Sequence, residues 1–422
     1  MTSKRANWLF LTIILVHFGV VAFLIFGGPR LPDSLVLNFL LSQGILVVPT
    51  LIFLLVFERR DMARMPMPSA PHASGMPQMP MPGMPYTSGM ARMPMPGAPY
   101  ASSMPRPFEA AGFHKVKIST LLMITLCTFL FMPLVTVLNI LTMFFADNAV
   151  AALEGDIVST PFPAMLFMIG IFGPFCEEFV FRGVIYRSYR RSGEWTNGMC
   201  HKKLRDNGLS AVLLSSLLFG LMHMNFNQAV YAFAIGVILV LLVEAAGSLW
   251  ASVFCHMFFN SCQVVLMYVS ESILNSVYGQ AANETAAKLS TQELLSALSV
   301  YLVIAAVTTP IAGCVIAWIA KNEGRQEALR ALLRRGGRVP QSNVPRPMPP
   351  NVAQSGVSRP QRESYANAPH PETVNVSYPN MPPQPVQWSA PELPHADYLL
   401  SVPLIIAIVL CLGYMSLELL LL

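Results

Sequence analysis

Apolar stretches long enough to cross a bilayer recur at 8–27, 35–57, 118–145, 163–185, 228–246, 249–270, 298–320 and 399–421. Each comes close to the ~20 apolar residues that carry a helix through a hydrocarbon core. A shorter run covers 209–223, and only the short segment "NFNQ" parts it from the next. The pattern predicts nine crossings. Lipid offers the backbone no water to bond, so each segment must bond internally. The expected fold is all-α: a polytopic transmembrane helical bundle.

The polar positions between the runs set the topology. Lys4 and Arg5 precede the first run. Arg59, Arg60, Arg64, Lys115 and Lys117 lie between the second and third. Arg187, Arg190, Arg191, Lys202, Lys203 and Arg205 follow the fourth, and Lys321, Arg325, Arg330, Arg334 and Arg335 follow the eighth. The alternate loops, "ADNAVAALEGDIVSTPFP" and "SESILNSVYGQAANETAAKLSTQE", are acidic or sparse in charge. The cytoplasmic bias of Lys and Arg then predicts a cytoplasmic N-terminus and, with nine crossings, a C-terminus outside. The N-terminal stretch has the order of a signal peptide, charge then apolar run. Its run is too long and no small-residue cleavage site follows, so it reads as a first helix and start signal together.

Two polar segments interrupt the helices. Residues 63–104 repeat with a 14-residue period: "ARMPMPSAPHASGM", "PQMPMPGMPYTSGM", "ARMPMPGAPYASSM". Proline this dense forbids helices and sheet ladders, leaving polyproline II and turns. The segment 58–114 is expected to be a disordered arm that could dock a cytoplasmic partner. Its Met-Pro-Met triplets could hold Cu(I) through thioethers, but His72 is the only imidazole in the repeat, which favours the plain arm. Residues 323–397, basic and then Pro-rich, read as a disordered tether to a last helix at 398–422. The expected organisation is thus two helices in 1–57, the arm, a core at 115–322, the tether and the final helix.

Composition agrees with a membrane protein: 54% of residues are hydrophobic and 12% charged, against about 25% charged in soluble domains. The net charge is +5, but the cations sit beside the apolar runs. A nucleic-acid surface would need a basic face with interleaved aromatics, so no nucleic-acid partner is expected. None of the seven cysteines forms a CxxC pair, and they read as small buried hydrophobes.

Against this background "GPFCEEFVFRGVIYRSYRR" (173–191) stands out, because charges lie inside an apolar run. Each costs about 2.5–3.5 kcal/mol at a helix centre on insertion scales. Glu178 and Arg182 are spaced i,i+4 and can pair. Glu177 points about 100° away and has no built-in counter-ion. "FGLMH" places Phe219 one turn from His223, and "HMFFN" places His256 one turn from Asn260. Each motif has a plain reading: a packing pair, a histidine satisfied by a carbonyl, an asparagine joining helices. Their coincidence on three apolar segments points to chemistry. His17, Asn139 and Glu244 lack such company and are read as structural, with Glu244 near the cytoplasmic end of its helix.

The ordered set EExxxR, FxxxH and HxxxN resembles the CPBP family of intramembrane endopeptidases. That family includes type II CAAX prenyl proteases and bacterial Abi, bacteriocin-processing and bacteriocin-immunity proteins. The resemblance covers about 163–270. It implies a helical bundle with a polar cavity inside the membrane, open toward the cytoplasm. It also implies hydrolysis of a peptide bond, near a substrate C-terminus or within a membrane-associated, prenylated or small peptide. Members have been described both as zinc metalloproteases and as metal-free glutamate proteases.

The residues suggest matching roles. Glu177 acts as base on a water held by His223, and His256 with Asn260 donates to the oxyanion; such a donor is worth about 2.7–4 kcal/mol. Arg182 neutralises Glu178 and orients the helix, and Phe219 packs on His223 or the substrate. A zinc variant would use Glu177, His223 and His256. The metal-free form, with no cofactor, is preferred because no HExxH is present and the two imidazoles must converge from separate helices. Expected partners are lipid and a peptide or protein substrate; in a bacterium the site of action would be the plasma membrane. The alternatives are a non-catalytic scaffold or immunity-type protein that keeps the fold, and a proton-relaying transporter, for which no inverted repeat is visible. Helix rise puts Glu177 about 12 Å and His256 about 10 Å from their cytoplasmic helix ends, but His223 about 21 Å.

Overall fold

A computed structural model describes residues 2–27, 34–63, 112–190, 208–278, 290–333 and 399–421. The Met/Pro repeat, nearly all of the tether, Cys200 and the cations at 191–205 lie outside them. All described helices belong to one compact unit.

No strand occurs among the described residues. The long helices are α1 (Ser3–Phe26), α2 (Leu35–Ala63), α3 (Ile118–Met143), α4 (Phe162–Arg190), α6 (Phe226–Ala246), α7 (Leu249–Tyr278), α8 (Thr291–Asn322) and α10 (Val402–Leu421). Between them lie the shorter α5 (Gly208–Leu221) and α9 (Gln326–Leu333). Among the described residues eight helices are long and apolar enough to cross a membrane, one fewer than predicted. The exception, α5, rises only about 21 Å over its 14 residues.

Helix pairing still requires α5 as a ninth crossing. Asn7, at the start of α1, donates to Leu399 O (2.7 Å) and Ser401 Oγ (2.8 Å), at the start of α10. Further along, Phe18 meets Tyr414 with ring centroids 5.7 Å apart. The two helices therefore run parallel, and an even number of crossings must separate their starts. Arg5 stacks on Phe57 at 4.7 Å, so α2 returns to the end where α1 began. That end also carries Lys117, Arg187, Glu244 and Arg325; we call it the basic end.

The α5–α6 hairpin is tight because small residues line it. A Cβ on Gly220 would lie 2.5 Å from Ala229 O, and one on Gly236 would lie 3.0 Å from the Ser216 side chain. Asn225 caps α6 by accepting from Gln228 N at 3.0 Å, and Gly247 ends α6 at φ +71°, a conformation that favours glycine. Glu244 has more partners than its sequence context suggested: Tyr186 Oη donates to it at 2.6 Å and Arg190 Nε at 3.3 Å. It lies at the basic end, where Arg325 Nε also donates to its carbonyl at 3.1 Å.

Candidate active site

Helix α4 is not a plain α-helix. Residues Leu166–Phe172 and Phe179–Tyr186 are wound as π-helix, with Gly173–Glu178 between them in α form. Wider π turns rotate one part of a helix against the next and leave backbone groups to be met from elsewhere. Helix α7 meets them: Asn260 Nδ2 donates to Ile169 O (3.2 Å) and Ser261 Oγ to Gly170 O (3.4 Å). The approach is close, since a Cβ on Gly170 would lie 2.6 Å from Ser261 Oγ.

The two glutamates diverge as the helical angle predicts. Glu178 is fully buried and accepts from Arg182 Nη1 at 2.6 Å. Arg182, also buried, donates through Nη2 to Gly236 O (3.3 Å) and lies 4.2 Å over the Phe219 ring. Each charge thus has an opposite charge, a carbonyl or a ring face against it, which offsets much of its insertion cost.

Glu178 also does something its sequence spacing could not announce: the same Oε1 accepts from His256 Nδ1 at 3.0 Å. An ionised carboxylate only accepts, so the His256 proton sits on Nδ1 and Nε2 points the other way, to within 3.8 Å of Glu177 Oε2. His223 is held likewise, with Nδ1 2.9 Å from Phe219 O. A carbonyl cannot donate, so His223 too carries its proton on Nδ1 and leaves Nε2 bare. Phe219 sits between the rings, 5.2 Å from His223 and 5.8 Å from His256, edge to face with both. The sequence placed it against His223 or the substrate, without His256.

Glu177, His223, His256, Asn260 and Phe219 line one cavity of about 620 Å³; Glu178 and Arg182 lie behind its wall. Sequence reasoning missed further polar lining residues, among them Gln228, Tyr231 and Gln263. For Gln263 a signal existed: His256, Asn260, Gln263 and Met267 fall at i, i+4, i+7 and i+11, one face of α7. Asn139, read as structural, is also in the lining, and accepts from Asn227 Nδ2 at 2.9 Å.

The cavity runs from the middle of the bundle toward the end opposite the basic one: α2 lines it with Leu35 and Asn38, α3 with Met132 and Asn139, and α7 from His256 to Met267. The linker after α3 adds Asn148, Leu153 and Glu154. His223 lies farther from the basic end than Glu177 and His256 because it sits past the end of α5, near the turn into α6.

The imidazoles have the chemistry of metal ligands, each with Nδ1 anchored and Nε2 bare. The third donor does not converge: among the described residues no three His, Cys, Asp or Glu side chains are grouped to hold a metal ion. As it stands the set Glu177, His223 and His256 does not fit a three-ligand zinc site.

Fold and site together define a polytopic helical membrane protein with a carboxylate–imidazole–amide centre inside the bundle. Residues 159–262 match the family model of type II CAAX prenyl endopeptidase Rce1-like proteins, so the resemblance carried by the three motifs is borne out on that stretch. Two relatives align with about the same length of chain. One is the membrane-embedded CAAX protease MroQ of Staphylococcus aureus (strain USA300), 30% identical over 125 residues, 30% of this chain and 48% of the relative. The other is YdiL of Bacillus subtilis (strain 168), whose name describes a membrane peptidase, 26% identical over 121 residues, 29% of this chain and 43% of the relative. The chain thus covers about half the length of these relatives. No solved structure matches it.

Proposed function

We propose that the protein is an intramembrane endopeptidase in which Glu177 is the general base. The observation that carries this reading is the division of labour between adjacent carboxylates. Glu178 is engaged through Oε1 by Arg182 and His256, while Glu177 faces the cavity beside the bare Nε2 of His256. The Rce1-like match and the names of the relatives support the same class.

A water in the cavity donates one proton toward His223 Nε2 and the other to Glu177. As Glu177 takes that proton, the water oxygen bonds the scissile carbonyl carbon and the carbonyl electron pair moves to oxygen. Asn260 keeps one amide N–H after bonding Ile169 O and donates it to that oxyanion. His256 is a second donor only when Nε2 also carries a proton, a condition that the anchoring of Nδ1 adds to the sequence-based role. When the C–N bond breaks, Glu177 returns its proton to the leaving amine. The products are a carboxyl terminus and a new amino terminus, with the base restored.

Glu177→Gln keeps the shape and removes the base. It should lower cleavage by about 10²–10⁴-fold, read as loss of new peptide termini when membrane proteomes of cells carrying wild-type or variant protein are compared. Equal cleavage by both would leave a scaffold as the better reading. A metal reading has its own readout. Stoichiometric zinc in purified protein, with activity lost on chelation and regained on zinc return, would replace the metal-free roles of Glu177, His223 and His256.

A further inference from the structure

We infer that Glu418, near the end of α10, is a positioning residue for His223: by accepting from Asn225 it holds the turn that carries the imidazole. This rests on the peptidase reading above. It adds to the site a residue from a helix outside the stretch 159–262 that matches the family model.

The turn needs a hold from elsewhere. His223 lies past Leu221, where α5 ends. Its ring is tied back to Phe219 O, but the backbone behind the ring has left the helix. Two short-range bonds remain there, His223 N to Gly220 O and Met224 N to Leu221 O, both 3.2 Å. Met224 then turns at φ +53°, and among the described residues no other non-glycine has a positive φ. A side chain persists in that conformation where its surroundings over-determine it.

Asn225, the next residue, is buried and supplies the constraint. Capping α6 takes only its Oδ1, which accepts from Gln228 N; a serine, threonine or aspartate would cap as well. The carboxamide adds donors. Nδ2 donates to Glu418 Oε1 at 3.0 Å and to Asp147 O at 3.4 Å. The first bond is the shorter and ends on a carboxylate, the stronger kind of acceptor.

Glu418 is placed for this task. Leu404, Ala407, Cys411 and Met415 form the buried stripe of α10, and Glu418 continues their i, i+3, i+4 spacing on the same face. It is the only charged residue of α10, and among the described residues no cation pairs with it. Packing alone would ask for an apolar side chain there. A carboxylate in an apolar helix calls for a partner, and that partner is Asn225.

The test uses full-length protein in detergent and an internally quenched peptide spanning a site whose cleavage in membranes depends on Glu177. Glu418→Leu removes the acceptor and should lower kcat, by up to about 10²-fold, with KM nearly unchanged. Glu418→Gln keeps an acceptor oxygen and should restore most of the activity. Asn225→Ser keeps the cap without the donors; it should reproduce the loss and add little to it in the double variant. Leu404→Ala opens a cavity in α10 about 21 Å from Glu418. It should lower the melting temperature and leave kcat of the folded protein unchanged. Wild-type kcat in Glu418→Leu, with Glu177→Gln inactive, would overturn the inference and leave the peptidase reading standing. An equal loss of kcat in Leu404→Ala would overturn it too, making α10 a packing helix only. If no Glu177-dependent cleavage is found, the peptidase reading fails, and positioning is read directly. The ¹⁵N imidazole resonances of His223, assigned by their loss in His223→Gln, should move in Glu418→Leu, return in Glu418→Gln and stay in place in Leu404→Ala. Unmoved resonances in Glu418→Leu would refute the inference whatever the activity.

Discussion

Glu178 is the residue on which the others lean. Its Oε1 accepts from both Arg182 and His256, so it neutralises one charge and fixes the tautomer of an imidazole. Removing one partner of such a buried pair leaves the other uncompensated, at about 3–5 kcal/mol. Arg182→Met should therefore lower the melting temperature in detergent strongly. Adding Glu178→Leu should recover most of that loss, because an apolar pair of similar size is often neutral. The double variant should stay inactive, since His256 Nδ1 has lost its acceptor. Recovery of cleavage together with stability would make Glu178 a packing residue only. Asn260 makes a different demand. Its free N–H is proposed to meet charge that exists only in the transition state, so Asn260→Ala should lower kcat by about 10²–10³-fold and leave KM nearly unchanged. A change confined to KM would remove Asn260 from the oxyanion site.

At the scale of elements, the α5–α6 hairpin shows what packing adds to an apolar pattern. Gly220→Ala drives a Cβ against the backbone oxygen of Ala229 and should cost about 1–3 kcal/mol. Gly313, in α8, has nothing within 4 Å of an added Cβ; Gly313→Ala should be neutral or gain up to about 1 kcal/mol of helix stability. Melting temperatures of the two variants check both. The contrast also explains what was legible in the sequence. Lengths of apolar runs gave the long helices, and i,i+4 spacing gave the Glu178–Arg182, Phe219–His223 and His256–Asn260 pairs, because those are properties of one helix. The π turns of α4 were not legible, since they arise when carbonyls such as Ile169 O find donors on α7. Nor was the Glu178–His256 bond, which joins residues 78 apart in sequence. Depth along single helices located the site but could not tell toward which end the space widens.

For the whole molecule the open matter is how a chain with one short crossing keeps its helices in register, and Asn7 carries much of that. It accepts from Tyr189 Oη at 2.7 Å and donates to Leu399 O and Ser401 Oγ. One buried amide thereby joins the start of α1, the end of α4 and the start of α10. The parallel course of α1 and α10 follows from it, and so does the need to count α5 as a crossing. Asn7→Leu preserves apolar bulk but strands the buried Tyr189 hydroxyl, a loss of about 1–3 kcal/mol. Tyr189→Phe alone should cost less, and on the Asn7→Leu background it should restore part of the lost stability, because no polar group is then left unmet. The two changes are thus expected to be non-additive by the margin typical of residues in one hydrogen-bond network, about 0.5–3 kcal/mol, measured as thermal unfolding of the four variants in detergent. Strict additivity would mean that Asn7 does not hold these three helices together. The parity argument for α5 would then rest on the Phe18–Tyr414 contact alone.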